Sequence, residues 1–246
     1  MRRKKPSICF VVLLRHTHFK KRIINQVSFK RNMSFISLSS QDIEQLTQQL
    51  IAQGTIVDPQ SAKGRLLKQA AQLFKTQGFQ RTTVRDIARE VGIQSGSLFH
   101  HYPSKQAILR SVVEETIQLN LEIMKQSLVL NDGVREKLLA LIVCELQSVL
   151  VDTGSEMVVL VYEWRGLNEE NQAEILSLRN TYEQLWLDIL GQAYAQQMTS
   201  VEPAILRRLL TGAISWTINW YKPDGGLSLI ELAEIVLSMA LNKTQA

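Results

Sequence analysis

The stretch Thr83-Val84-Arg85-Asp86-Ile87-Ala88-Arg89-Glu90-Val91-Gly92-Ile93-Gln94-Ser95-Gly96-Ser97-Leu98-Phe99-His100-His101-Tyr102 decides the fold. Thr83, with an acid three residues on at Asp86, reads as a capping box that opens a helix. Val84, Ile87, Ala88 and Val91 then fall on one apolar stripe at helical spacing. Gly92 ends that helix, because glycine enters the left-handed turn region without a Cβ clash. Ile93 is placed to fill the gap between helices, and Ser95 reads as the N-cap of a second short helix over 96–102, which Pro103 stops. Two short helices joined by a Gly-containing turn of three to four residues have the spacing of a helix-turn-helix, whose second helix lies in the major groove. Ala88 is small where two such helices cross.

The second helix starts with small, polar residues. Leu98 is expected in the core, with Ser95, Ser97 and Phe99 outward; hydroxyls beside an aromatic suit phosphate, sugar or a thymine methyl. Helix starts at Thr83, Ser95 and Ser104 offer free backbone N–H groups to phosphates. Lys105 falls in the first turn after Ser104, where a cation opposes the helix dipole and a phosphate would relieve the conflict. The same shape also occurs as plain helix packing, and a basic face is often only a solvated one.

Working outward, 61–77 is helical in pattern: Leu66, Leu67, Ala70, Ala71, Leu73 and Phe74 share a face, and Gly78 follows as C-cap. Ser104 caps a long helix reaching about residue 128. Later helices are expected at 133–152, 156–165, 169–197, 202–220 and 228–242, the last with a capping box at Ser228 and Glu231. Upstream, 33–60 is a Ser- and Gln-rich arm with a short helix at 42–52. With 45% hydrophobic residues and only five Pro, the chain reads as all-α.

Charge is divided along the chain. Residues 61–110 carry nine Lys/Arg and two acids, whereas 111–246 carry nine and eighteen. A basic module joined to an acidic one suggests a polyanion-binding part and a part with another task. Residues 1–32 hold ten Lys/Arg and no acid. Their apolar run at 8–14 is too short to span a bilayer and lacks a small-residue cleavage site. Met33 is expected to be the biological start, with 1–32 translated upstream sequence. His16 and His18 form a metal-type pair or lie in disorder. Cys9 and Cys144 allow neither a disulfide framework nor a zinc site, and read as reduced thiols in a cytoplasm. No metal, cofactor or membrane partner is expected.

The runs Gly64-Arg65-Leu66-Leu67-Lys68-Gln69-Ala70-Ala71-Gln72-Leu73-Phe74, Gly78-Phe79, Thr83-Val84-Arg85-Asp86-Ile87-Ala88, Val91-Gly92-Ile93, Gly96-Ser97-Leu98-Phe99 and Tyr102-Pro103-Ser104-Lys105 resemble, in order and spacing, the N-terminal domain of TetR/AcrR regulators. The chain departs from the usual family pattern at Phe99, Tyr102 and His100. The resemblance implies a three-helix helix-turn-helix DNA-binding domain at 61–110 and a helical ligand-binding and dimerisation domain at 111–246. It implies DNA contacts at Thr83, Arg85, Ser95, Ser97, Phe99, His100 and Lys105: Ser95, Ser97 and His100 near bases, Thr83, Phe99 and Lys105 on phosphates. It also implies a homodimer built on the last two long helices, with Leu206, Leu209, Leu210, Ala213, Ile214, Ile235, Val236 and Met239 as interface or core residues. Function would be that of a repressor on a pseudo-palindromic operator, released by a small ligand.

Trp164, Tyr182, Trp186 and Trp216 lie on expected helices and either line a ligand pocket or fill the core. Arg165 holds an anionic ligand head or makes a surface ion pair. The segment Trp220-Tyr221-Lys222-Pro223-Asp224-Gly225-Gly226-Leu227-Ser228 is similar to one in a TetR branch that senses acyl-CoA thioesters, which ranks fatty acyl or acyl-CoA effectors first. Two other functional classes compete with this reading. A non-specific DNA-compacting protein fits poorly with an acidic second half. An enzyme would need a motif such as H-E-x-x-H, a P-loop or G-x-S-x-G, and the sequence contains none.

Overall fold

A computed structural model describes residues 37–152, 156, 159 and 163–242. The leader 1–32, with Cys9, His16 and His18, and the expected start at Met33 lie outside the described residues. Among the described residues there are nine α-helices and no strand: α1 (Ser40–Ala52), α2 (Ala62–Gln77), α3 (Val84–Val91), α4 (Ser95–Leu98), α5 (Lys105–Val129), α6 (Val134–Gln147), α7 (Glu169–Ala195), α8 (Pro203–Trp216) and α9 (Leu229–Ala240). A π-helical turn, Ser148–Asp152, continues α6, and 3-10 turns occupy Trp164–Gly166 and Thr217–Asn219.

The caps follow the sequence closely. Thr83 and Asp86 form a full capping box, as do Ser228 with Glu231 and Ser39 with Asp42, while Ser104 accepts from the Ala107 N–H. Gly92 takes the left-handed conformation at φ 75°. Two expectations change. The second helix of the helix-turn-helix is a single turn, not a helix to 102, because the N–H groups of His100 and His101 bond three residues back, to Ser97 and Leu98. Its N-cap is Gln94, without a side-chain bond, and Ser95 is its first residue. Half of the helix expected at 156–165 falls outside the described residues, and its last two residues belong to the 3-10 turn Trp164–Gly166.

Two main cores result. In the head, Leu66, Phe74, Ile87 and Leu98 are fully buried with Ile108, Leu109, Val113 and Ile117 of α5. In the body, Met124 of α5 joins Leu138, Leu141 and Ile142 of α6, Trp186 and Leu190 of α7, Ile214 of α8 and Leu237 of α9. Helix α5 belongs to both and runs unbroken through residue 110, where the sequence divides basic from acidic. A third, small cluster seats α1 on α5.

Candidate nucleic-acid interface and effector core

The head presents its outward residues on a rigid base. Leu98 is fully buried beneath α4, so the rest of that one turn must face away from the core. Ser97, His100 and Phe99, the last 52% exposed, do so. Thr83 and Arg85 are exposed at the start of α3, and Ser95 is half-buried. Thr83 is committed locally: its hydroxyl lies 2.6 Å from an Asp86 carboxylate oxygen, whose pKa is lowered by the Thr83 side-chain and backbone hydrogen bonds. Ser97 and His100, expected at bases, thus lie exposed on one turn, with Ser95 half-buried at its start.

Lys105, expected on a phosphate, is engaged within the head. Its ammonium donates to the carbonyls of Phe79 and Thr82, both at 2.8 Å, and to Gln80 at 3.4 Å, and lies 4.3 Å over the Phe79 ring. All three N–H directions are used, so the carbonyls of the α2–α3 connection relieve the clash with the α5 dipole that was assigned to a phosphate. Burial lowers the lysine's pKa.

The same connection meets the body. A Glu163 carboxylate oxygen accepts the Phe79 N–H at 3.2 Å, and a Cβ on Gly166 would lie 2.9 Å from the Phe79 ring. Gln106 donates to the Gly166 carbonyl at 2.7 Å and accepts from the Asn168 N–H at 3.1 Å. These contacts were not legible in the sequence, since they join positions 60 to 87 residues apart.

Inside the body, the proposed ligand residues divide. Trp186 is fully buried and carries the Arg207 guanidinium 4.3 Å over its ring; its indole N–H finds no acceptor among the described residues. Arg207, itself buried, is held by Glu145 at 3.1 Å and Glu183 at 2.8 Å, and the Tyr182 hydroxyl lies 3.4 Å from Glu145. Burial pushes the Glu145 carboxyl up, against the pull of Arg207. Tyr182 and Trp186 therefore frame an internal ion-pair network. A lone acid in the apolar run 138–146 was the sequence signal for it. Trp164 is half-buried under Arg179, 4.2 Å from its ring, and Arg165 is exposed. Trp216 is 65% exposed and does not face the interior. An open cleft of about 400 Å³ beside α5, α6 and α7 is lined by Leu128, Asp132, Lys137, Asp188 and Ile189 among others, and by none of the aromatic residues singled out above.

The proposed dimer residues divide as well. Leu206, Leu210, Ile214 and Val236 are buried in the protomer's own core, because periodicity alone does not separate the two apolar faces of a helix. Leu209 (62% exposed), Ile235 and Met239 (71%) face outward, with Ile205 and Trp216 beside them in sequence register on α8, and Ala213 half-buried.

Comparisons with known proteins agree with this geometry. The family model described as bacterial regulatory proteins, tetR family, matches residues 66–112, and that described as tetracyclin repressor-like, C-terminal domain, matches 131–244. The HTH-type transcriptional repressor KstR2 of Rhodococcus jostii is 31% identical over 72% of this chain and 88% of its own. The crystal structure of the superantigen pfit is 49% identical, covers 81% of this chain and 99% of its own, and has a TM-score of 0.70. AibR, solved with isovaleryl coenzyme A and operator DNA, shares the fold at 23% identity and a TM-score of 0.67, over 73% of this chain and 98% of its own. The chain belongs to the TetR family of transcriptional regulators. No described helix is long and apolar enough to cross a membrane.

Proposed function

We propose that the chain is a dimeric, sequence-specific repressor of the bacterial cytoplasm, which leaves a pseudo-palindromic operator when its body binds a small ligand. Residues 61–110 read the DNA, 111–246 sense the ligand and dimerise, and 33–60 are an N-terminal arm. The observation that carries this reading is the exposed turn of Ser97, Phe99 and His100 above a fully buried Leu98, within a segment of nine bases and two acids. Ser95, Ser97 and His100 meet base edges, Phe99 meets sugar or a thymine methyl, and Thr83 and Arg85 meet the backbone. Lys105 orients the head from within. The exposed face with Leu209, Ile235 and Met239 pairs with a second copy. The reading assigns no catalytic step, in keeping with a family of regulators. The superantigen activity named for pfit stays with pfit; a basic head with an outward recognition turn favours duplex DNA.

The effector class favoured is a fatty acyl group or its CoA thioester, on the similarity of residues 220–228 to an acyl-CoA-sensing branch. Isovaleryl-CoA, found with AibR, is the first molecule to try. The decisive experiment selects bound duplexes from a random pool. The expected product is an inverted repeat with half-sites about one turn, 34–36 Å, apart or a multiple of it. His100→Ala is expected to relax one base position by about 1–3 kcal/mol. Equal affinity for selected and random duplexes at fixed salt would instead mark a non-specific binder.

A further inference from the structure

We propose that residues 38–60 act as a brace that fixes the head on the body half of α5. This reading is independent of DNA and of any effector. The brace packs on the head core directly and reaches the body core through Ile123 of α5. Leu38, Leu46, Leu50 and Ile56 are buried against Leu119 and Ile123 of α5, and Ile123 also packs on the body core. The next residue, Val57, packs on the head core. Its N–H donates to the Glu115 carboxylate of α5 at 3.1 Å. The chain then presses onto the first turn of α2. A Cβ added at Gly64 would overlap the Asp58 carbonyl and come within 2.7 Å of the Pro59 Cα. Arg65 donates back to the Gln60 carbonyl, and the Ser61 hydroxyl, which caps α2, donates to the Asp58 carbonyl at 2.6 Å.

The geometry is a strut across an angle. One end of the arm is fixed to the start of α2, and the other lies along α5 at Leu119 and Ile123, beyond the last fully buried head residue, Ile117. Helices α5 and α7 both place buried residues in the two main cores, α7 through Ile175 on the head side and Trp186 on the body side, and the arm is seated on α5. Turning α2 about α5 therefore has to shear the arm off one of its two seats. The matched N-terminal family domain begins at residue 66, so the brace stands outside it.

Gly64→Ala tests this in the full-length chain. Alanine suits a helix better than glycine, yet its Cβ has no room while the arm is seated. Amide exchange across 40–52 should rise at least tenfold in Gly64→Ala and in the milder Leu46→Ala. Spin labels at Glu90→Cys and Gln192→Cys, in a Cys9→Ser background diluted with unlabelled chain, report the head-to-body distance within one protomer. The distance distribution should widen at least twofold in both variants, while urea unfolding of the body keeps its midpoint within about 10%. Unchanged exchange in Gly64→Ala would overturn the seating on α2. A released arm with an unchanged distance distribution would overturn the brace. Neither result bears on operator selection, so the DNA-binding proposal stands or falls separately.

Discussion

The Lys105 ammonium sits 2.8 Å from the Phe79 carbonyl and 4.3 Å above the ring of the same residue, fastening the start of α5 to the connection that precedes α3. A lysine so engaged is part of the head's frame. Lys105→Met should lower the head's stability by about 1–3 kcal/mol through the lost charged hydrogen bonds. The slope of log affinity against log salt should stay unchanged. A phosphate-binding lysine would do the opposite, leaving the melting temperature alone and flattening the slope by about one. Thermal melts and a salt titration on one selected duplex distinguish the two.

Glu115 gives the head–arm junction a pH dependence. Burial raises its pKa from 4.5 to about 7, opposed by the Val57 N–H and the Lys63 ammonium and assisted by the neighbouring Glu114. A carboxyl raised in the folded state favours folding most when protonated. Its contribution is fully present below about pH 4.5 and is lost as pH rises through about 7. Urea midpoints of the native chain should therefore fall between pH 5 and 8 relative to Glu115→Gln. Parallel curves for the two proteins across that range would refute the assignment.

Local signals made the head readable. Thr83 with Asp86, and Gly92, are instructions a segment carries in itself, and the structure obeys both. The length of α4 was misread because apolar periodicity cannot tell an α-helical turn from the three-residue-back bonds of His100 and His101. The body was legible only as helices. Whether Leu209 or Leu210 faces inward depends on where α6, α7 and α9 lie, and no spacing within α8 encodes that. The same holds for Arg207, whose partners Glu145 and Glu183 come from two other helices.

That ion-pair network sets the third prediction. Arg207→Met leaves the buried Glu145 without its cation, which should cost about 3–5 kcal/mol. The double variant Glu145→Leu/Arg207→Met removes both charges and should recover most of that loss. Denaturant unfolding of the two single variants and the double variant gives the coupling directly. If the double variant is as unstable as Arg207→Met alone, the network owes its importance to packing and not to charge.

Leu209 and Leu210 are adjacent on α8 yet have opposite surroundings, 62% and 4% exposed. They separate the dimer from the protomer. On the proposed pairing face, a charge at Leu209 would meet only water in a single protomer but would face its own symmetry mate across a two-fold contact, where it would be left unpaired. Leu209→Asp should therefore shift sedimentation from dimer to monomer, keep far-UV helicity, and weaken operator binding by at least tenfold, since one head then grips one half-site. Leu210→Ala empties volume in the body core instead and should cost about 2–5 kcal/mol of stability, with the folded fraction still dimeric. Should Leu209→Asp remain a dimer at micromolar concentration, the pairing face lies elsewhere, and the exposed Ile235 and Met239 need another partner.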